Sequence, residues 1–207
     1  MREAVIIAGG RSTRFGERDK AVASLAGVPM IRRVADRVLD ATDRLVVNCR
    51  EDQRDAIDEA LGGYENPVTF AIDREPDVGP MAGIRTGLAA VKAEYAAVVA
   101  CDMPFVDPGF LAYLFERADG HDAAVPRPED GWYQTTQAVF RARAMVDACD
   151  RALAAGERKI VGPLFDLDYV VVTGEEIAAH AAEGTFENLN TERELRRAAA
   201  RIDRRSE

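Results

Sequence analysis

The chain has 207 residues, 47% of them hydrophobic and 30% charged, which is enough for one soluble domain with a substantial core. A formal net charge of −9 and the lack of a long basic run argue against general nucleic-acid binding. No apolar stretch approaches the roughly 20 residues of a membrane span, and the N-terminus lacks a signal-peptide pattern, so a cytoplasmic protein is expected.

The first strongly patterned segment is an apolar run, Ala4–Ala8, that ends in Gly9 and Gly10 and continues into a basic loop with Arg14 and Lys20. Adjacent glycines let backbone N–H groups point into one concavity, and the two cations would neutralise an anion there. The segment therefore predicts a strand followed by a polyphosphate-binding loop, with a nucleoside triphosphate as the ligand.

The better-known glycine motifs do not fit this loop. A P-loop needs Gly-Lys followed by Ser or Thr, whereas Glu17 follows Gly16, and the dinucleotide fingerprint needs Gly-x-Gly-x-x-Gly, whereas Gly9 and Gly10 are adjacent. An ordinary Gly-Gly turn with surface charges is the structural alternative.

Apolar runs and helical patterns alternate over the first half of the chain. The predicted strands are Ala4–Ala8, Leu45–Cys49, Val68–Ile72 and Tyr95–Cys101, and the predicted helices are Met30–Ala41, Gln53–Leu61 and Met81–Lys92. Repeated β-α units favour an α/β fold with a mostly parallel central sheet between helices, in three α/β/α layers. A single domain is expected, in which residues 1–107 would bind the nucleotide and residues 108–207 would form a distinct lobe.

In the second half, the pattern predicts further elements and a turn-rich link, Pro126–Gly131, between two strands. The predicted helices are Gly109–Arg117 and Arg143–Ala155, and the predicted strands are Asp122–Pro126, Gln134–Arg141 and Tyr169–Val172. Thr191 and Glu194 form a capping-box pattern for a final helix to about Ile202, with a frayed tail after it.

Three cysteines, Cys49, Cys101 and Cys149, are odd in number and widely spaced, and His121 and His180 stand apart from one another. This spacing favours reduced thiols over disulfides or a zinc site.

Polar residues follow the predicted parallel strands at Gly9, Asn48, Asp73 and Asp102. Ligands of open α/β sheets bind beyond the carboxyl ends of the strands, so these positions should meet at one edge. Asp102 is the expected Mg²⁺ ligand because Mg²⁺ is held by one or two carboxylates together with substrate phosphates. A turn-forming aspartate is the alternative for this position.

Two later segments add polar or small groups. Gly79-Pro80-Met81-Ala82-Gly83 would open a helix and let a ligand approach the backbone. Asn188 and Asn190 lie two residues apart, so in an extended segment they would face the same way toward a polar substrate, with Thr191 as a helix cap.

Together, Ala8-Gly9-Gly10-x-Ser12-x-Arg14-x-Gly16-x-x-Asp19-Lys20, Gly79-Pro80-Met81-Ala82-Gly83, Cys101-Asp102-Met103-Pro104 and Asn188-Leu189-Asn190-Thr191 resemble the molybdenum cofactor guanylyltransferases. These belong to a nucleotidyltransferase superfamily with a Rossmann-like α/β/α fold. The first loop indicates the superfamily, and the Gly-Pro-x-Ala-Gly and Asn-x-Asn-Thr elements indicate this branch.

The resemblance implies a role for each matching residue. The GTP-binding residues would be Ile7, Ala8, Gly9, Gly10, Ser12, Lys20, Asn48, Asp73, Gly79 and Asp102. Arg14, Lys20 and Asp102 would act in catalysis, with Asp102 also holding Mg²⁺. The acceptor-binding residues would be Gln134, Arg158, Lys159, Asn188 and Asn190.

The implied reaction is attack by the terminal phosphate of molybdopterin, or of its metal-loaded form, on the α-phosphorus of GTP, which releases pyrophosphate. Transient contact with cofactor-synthesis proteins or apo-molybdoenzymes is part of the same expectation. Two alternatives stay open: a nucleotidyltransferase for another phosphorylated acceptor (a cobinamide phosphate, a phospholactate, a sugar phosphate, or molybdopterin with CTP), and a non-catalytic GTP-binding adaptor. Thr135-Thr136 stand where relatives often carry a proline, which keeps the acceptor open.

Overall fold

The computed structural model describes residues 1–10, 19–73 and 79–206. Its strands are β1 (Glu3–Ile7), β2 (Ser24–Leu25), β3 (Val28–Pro29), β4 (Arg44–Cys49), β5 (Val68–Ile72), β6 (Tyr95–Ala100), β7 (Ala123–Pro126), β8 (Gln137–Arg141) and β9 (Tyr169–Val172). Its α-helices are α1 (Met30–Leu39), α2 (Arg54–Ala60), α3 (Pro80–Ala89), α4 (Pro108–Ala118), α5 (Ala142–Ala154), α6 (Val161–Leu164), α7 (Gly174–His180) and α8 (Glu192–Ser206). Two short 3₁₀ helices span Lys20–Val22 and Glu51–Gln53.

Seven strands form one sheet in the order β5-β4-β1-β6-β8-β7-β9. Strand β1 pairs in parallel with β4 and β6, β4 pairs in parallel with β5, and β7 pairs in parallel with β9. Only β8 runs against its neighbours β6 and β7. The prediction of a mostly parallel α/β sheet is confirmed.

Helices cover both faces of this sheet because its strands are apolar on both sides. Ala4 and Ile6 of β1 face a core formed with α1, α2 and α4, whereas Val5 faces a core formed with α3 and α5. Helix α8 packs beside these layers on a small third core around Leu25 and Leu189. No helix in the described ranges is long and apolar enough to cross a membrane.

The structure corrects several boundaries. Strand β8 begins at Gln137 and not at Gln134, because the backbone of Gln137 closes a turn by donating to the carbonyl of Gln134 at 3.2 Å. Helix α8 continues to Ser206, beyond the predicted end at about Ile202. The β2-β3 hairpin, α6 and α7 were not predicted, since short elements carry little periodicity.

The carboxyl ends of β1, β4, β5 and β6 lie along one edge of the sheet, here called the rim. The chain passes from β1 outward to β4 and β5, and then crosses back to β6 on the other side of β1. This reversal places a topological switch point at the end of β1, where open α/β sheets bind their ligands. Backbone hydrogen bonds continue beyond the strands there, from Ala8 to Asn48 at 2.8 Å and from Cys101 to Ile7 at 3.1 Å.

Cys49, Cys101 and Cys149 are all free and buried. Burial raises the pKa of the Cys49 thiol to about 12, and it does the same for Cys149. We therefore expect native protein to react with Ellman's reagent at pH 8 much more slowly than protein unfolded in guanidinium, in which all three thiols should titrate. Rapid modification of any thiol in the native state would contradict this arrangement.

Candidate functional site

At the centre of the rim, the side chain of Lys20 donates hydrogen bonds to two residues from distant parts of the chain. The Lys20 ammonium donates to Asp102 Oδ2 at 2.6 Å and to Asn190 Oδ1 at 2.8 Å. Only 13% of the Lys20 side chain and 18% of the Asp102 side chain are exposed, so the pair is largely screened from solvent. The structure thus brings together the predicted phosphate-binding lysine and the predicted metal ligand.

Local structure fixes both ends of this cluster. Asp19 caps the 3₁₀ helix that begins at Lys20, accepting from the backbone N–H of Ala21 at 2.9 Å. The backbone N–H of Leu189 donates to the carbonyl of Asp102 at 2.9 Å, and the buried Leu189 side chain anchors the segment in the third core. The backbone placement of Asn190 therefore follows from packing.

The capping box predicted at α8 is confirmed, and it also orients Asn190. The Glu194 carboxylate accepts from the backbone N–H groups of Asn190 at 2.7 Å and Thr191 at 2.9 Å, and its own N–H donates to Thr191 Oγ1. These bonds, the bond to the Asn190 N–H above all, lower the pKa of Glu194. The helix cap thereby holds Asn190 against Lys20.

The second carboxylate oxygen of Asp102 is the candidate metal ligand. Asp102 Oδ1 is buried and has no hydrogen-bond partner among the described residues. A buried anionic oxygen is costly without a cation or donor beside it, and a carboxylate oxygen suits Mg²⁺. The described ranges contain no group of three or more acidic, histidine or cysteine side chains that could hold a metal.

A second polar cluster lies at the ends of β4 and β5. Asn48 Nδ2 donates to Asp73 Oδ1 at 2.7 Å and to the carbonyl of Ala71 at 3.1 Å. Burial raises the pKa of Asp73, and the hydrogen bonds from Asn48 and Thr86 partly offset that increase. Asn48 is fully buried, and its Oδ1 has no hydrogen-bond partner in the described part of the chain, whereas the Asp73 carboxylate is only partly buried.

Two glycines pack closely against the side chains of this second cluster. A Cβ at Gly9 would lie 2.4 Å from Asp73 Oδ2, and a Cβ at Gly83 would lie 2.6 Å from Asn48 Oδ1. Gly9, two residues after β1, and Gly83 in α3 therefore leave room for the Asn48 and Asp73 side chains. The second glycine of the Gly-Pro-x-Ala-Gly pattern, Gly83, is therefore explained by its packing against Asn48.

The remaining predicted nucleotide residues fall along the same rim. Ile7, Ala8 and Gly10 follow or end β1, and Gly79 caps α3 with φ of 102° ahead of Pro80. Arg14 and Ser12, predicted for catalysis and for GTP binding, lie outside the described residues.

The predicted acceptor residues are less tightly gathered. The backbone N–H of Gln134 donates to the carbonyl of Pro126 at 2.9 Å in the β7-β8 connection, which lies at the rim because β8 starts there. Arg158 and Lys159 are exposed in the turn after α5, which runs back toward the rim from the far end of β8. Asn188 is exposed and donates to the carbonyl of Phe186 at 3.2 Å. Among the contacts described, Asn190 alone of this set bonds directly to Lys20.

Several rim residues were not singled out from the sequence. Arg50 and Gln53 bond to both ends of the predicted phosphate loop, and Thr86 bonds to Asp73. Arg50 directly follows the last residue of β4 and lies two residues after Asn48, and this position at the carboxyl end of a predicted strand was the available signal for Arg50. Gln53 was assigned only to the start of a helix.

The arrangement suits binding and charge neutralisation better than covalent catalysis. Lys20 places a cation beside the Asp102 carboxylate, and Asn48 and Asp73 place an amide and a second carboxylate at the same edge of the sheet. The thiol next to Asp102, that of Cys101, is buried, and burial raises its pKa above the ordinary value, so it is a poor nucleophile.

Comparisons with known proteins identify the family of this chain. A family model described as MobA-like NTP transferase domain matches residues 4–183. The chain is 51% identical to a probable molybdenum cofactor guanylyltransferase of Natronomonas pharaonis over 97% of this chain and 98% of the relative. It is 42% identical to a protein of the same name from Haloferax mediterranei, over 97% and 94% of the two chains.

Among solved structures, the chain is similar to molybdopterin-guanine dinucleotide biosynthesis protein A from Archaeoglobus fulgidus. The TM-score is 0.80 with 27% identity, over 99% of this chain and all of that chain. A nucleotidyl transferase from Methanothermobacter, 23% identical with a TM-score of 0.77, shares the fold.

Proposed function

The chain belongs to the MobA-like NTP transferase family, and we infer that it is a molybdenum cofactor guanylyltransferase that transfers GMP from GTP to molybdopterin and releases pyrophosphate. The observation that supports this conclusion most directly is the Lys20-Asp102 pair at the switch point of a sheet shared with these relatives. A phosphate monoester is already an anionic nucleophile, so the protein needs to align the two substrates and neutralise the leaving pyrophosphate.

Each part of the rim has a distinct proposed task. Lys20 would hold the GTP phosphates with the backbone of Ile7, Ala8, Gly9 and Gly10, while Asn48 and Asp73 would bind the guanosine part near Gly79. Ser12 and Arg14 belong to the same proposal through the family pattern. Fixed donors near the phosphates stabilise the charge that develops on the leaving group.

Mg²⁺ is the proposed cofactor. Lys20 is paired with Asp102, so this pair alone adds no net positive charge for a triphosphate. The buried, unpartnered Asp102 Oδ1 provides one hard oxygen ligand, and phosphate oxygens would complete the site. When bound, Mg²⁺ supplies Lewis-acid stabilisation of negative charge on the phosphates.

Residues 108–207 are proposed to bind the acceptor. Gln134, Arg158, Lys159 and Asn188 provide amides and cations at or toward the rim, and the cations suit the anionic pterin phosphate. Asn190 is proposed to lie between the GTP site and the acceptor site, because its amide oxygen accepts a hydrogen bond from Lys20.

The test is pyrophosphate release from GTP, CTP, ATP or UTP combined with molybdopterin, cobinamide phosphate, phospholactate or a sugar phosphate. GTP with molybdopterin should give the fastest release, and it should require a divalent cation. Faster release with another acceptor would replace the proposed substrate, and tight GTP binding without any release would indicate an adaptor.

Asp73 provides a prediction about pH. Ionised Asp73 is the better hydrogen-bond acceptor for the nucleoside, and burial raises its pKa above the ordinary value of 3.8. GTP should therefore bind most tightly at pH values above the raised pKa of Asp73, and its affinity should fall as the pH drops through that pKa.

The variant Asp73→Asn should raise the KM for GTP about tenfold to a hundredfold at pH 7, the cost of a hydrogen bond to a charged group. It should also abolish the acidic limb of the KM profile, and Asp36→Asn on the surface of α1 is the control. An acidic limb that persists in Asp73→Asn would assign the titration to another group.

A further inference from the structure

Arg50 lies immediately after β4 and binds the turn that follows β1. Its Nη1 donates to the carbonyl oxygens of Gly9 at 3.2 Å and Gly10 at 3.1 Å. Its Nη2 lies 3.5 Å from Asp19 Oδ2 at the other end of the predicted phosphate loop. One guanidinium therefore contacts the backbone before this loop and the side chain directly before Lys20.

Gln53 provides a parallel link. Its Nε2 donates to the carbonyl of Ala8 at 2.9 Å and to Asp19 Oδ2, while its Oε1 accepts from the backbone N–H of Arg50 at 2.9 Å. Gln53 is only 3% exposed, so these bonds form away from solvent, where hydrogen bonds are strongest. Arg50 and Gln53 form one unit, here called the loop clamp.

The orientation of a planar peptide gives the loop clamp a chemical consequence. In a trans peptide the C=O and the following N–H point in opposite directions. Because Arg50 binds the carbonyl of Gly9, the N–H of Gly10 is turned away from Arg50 and toward the opposite side of the turn. The guanidinium also neutralises the partial negative charge of two carbonyl oxygens that would otherwise repel phosphate.

The clamp itself is held in place. Asp52 accepts from Arg50 Nε at 3.0 Å and from Nη2 at 3.2 Å, and only 15% of the Arg50 side chain is exposed. Carboxylates thus partly offset the charge of Arg50, whereas its guanidinium N–H groups stay directed at the two ends of the predicted phosphate loop. Such an arrangement favours a role in geometry over one in charge alone.

We propose that Arg50, supported by Gln53, is a positioning residue for the reaction: it orients the Gly9-Gly10 backbone and the Asp19-Lys20 segment to receive the GTP phosphates. This inference rests on the proposed function, because it assumes that the turn binds a triphosphate. It assigns no contact between Arg50 and the substrate.

The test compares Arg50→Met, Arg50→Lys and Gln53→Ala with the control Arg54→Met. Arg54 is the next arginine along, is exposed and has its guanidinium 5.8 Å from the centroid of the Phe70 ring, so its loss changes the charge equally without touching the clamp. Measurements are the KM for GTP, the KM for molybdopterin, kcat, guanosine binding and the thermal midpoint.

Arg50→Met should raise the KM for GTP at least about tenfold, in line with the loss of charge-assisted hydrogen bonds, and leave the KM for molybdopterin and guanosine binding within about twofold. Gln53→Ala should also raise the KM for GTP. Arg50→Lys should stay impaired, because one ammonium cannot reproduce the fork on two carbonyls and Asp19.

A wild-type KM for GTP in folded Arg50→Met, or full recovery in Arg50→Lys, would overturn the inference. Equal losses of guanosine and GTP binding would also overturn it, by showing a general loss of structure at the rim. If wild-type protein itself releases no pyrophosphate from GTP and molybdopterin, the proposed function fails instead, so the two failures are distinguishable.

Discussion

Replacing Lys20 by alanine should lower GTP-dependent pyrophosphate release by about a hundredfold to a thousandfold, the effect typical of removing one donor that stabilises developing negative charge. Lys20 is the cation seen at the centre of the rim, within hydrogen-bonding distance of both Asp102 and Asn190. Its removal leaves the Asp102 carboxylate without that counter-charge, so the site would repel a triphosphate more strongly.

The matched control is Lys92→Ala. Lys92 is exposed just before β6, at the edge of the sheet opposite the rim, and its backbone N–H bonds to the buried Glu3 carboxylate. This variant removes the same charge and should retain wild-type turnover. Circular dichroism should show both variants folded, since the core contains neither lysine side chain. Near-normal turnover by Lys20→Ala would remove Lys20 from the catalytic machinery.

The meeting of polar residues at the rim was largely predictable from the sequence. Lys20 and Asp102 are 82 residues apart, yet each follows a strand of a parallel sheet, and parallel strands bring their carboxyl ends to one edge. The same rule brought together Asn48 and Asp73. The apolar runs thus indicated which polar residues share the rim, although they carried no information on individual hydrogen bonds.

The placement of Asn190 depended on tertiary packing. It meets Lys20 across 170 residues because Leu189 is buried against the β2-β3 hairpin, an element too short to be predicted. Sequence spacing grouped Asn190 with Asn188 as an acceptor ligand, since residues two apart share a face of an extended segment. It could not show that the amide of Asn190 would reach the lysine.

The loop clamp was missed for a different reason. Arg50 acts on main-chain carbonyl groups of Gly9 and Gly10, and every residue has such a group, so no residue pattern marks the interaction. The reversed direction of β8 was equally hidden, because apolar runs do not state strand direction. The turn-rich Pro126–Gly131 segment was the one local signal of an antiparallel pair. Parallel neighbours need a longer crossover connection, usually a helix, and no helix lies in the described stretch between β7 and β8.

Asp102→Asn separates binding from turnover. Asparagine keeps the size of the side chain but lacks the charge, and the backbone carbonyl that accepts from Leu189 is unaffected, so the C-terminal segment should stay docked. Turnover should fall about a hundredfold to ten-thousandfold and should require more Mg²⁺ for half-maximal rate, because the proposed metal would lose its protein carboxylate.

Without a divalent cation, however, Asp102→Asn should bind GTP at least as tightly as wild type. The substitution removes a negative charge beside the triphosphate and frees the Lys20 ammonium from its 2.6 Å ion pair with Asp102. Calorimetry in EDTA and rate measurements across Mg²⁺ concentrations test the two halves of this prediction, with Asp36→Asn as the surface control. Weaker metal-free binding together with an unchanged Mg²⁺ requirement would mean that Asp102 orients Lys20 and does not hold the metal.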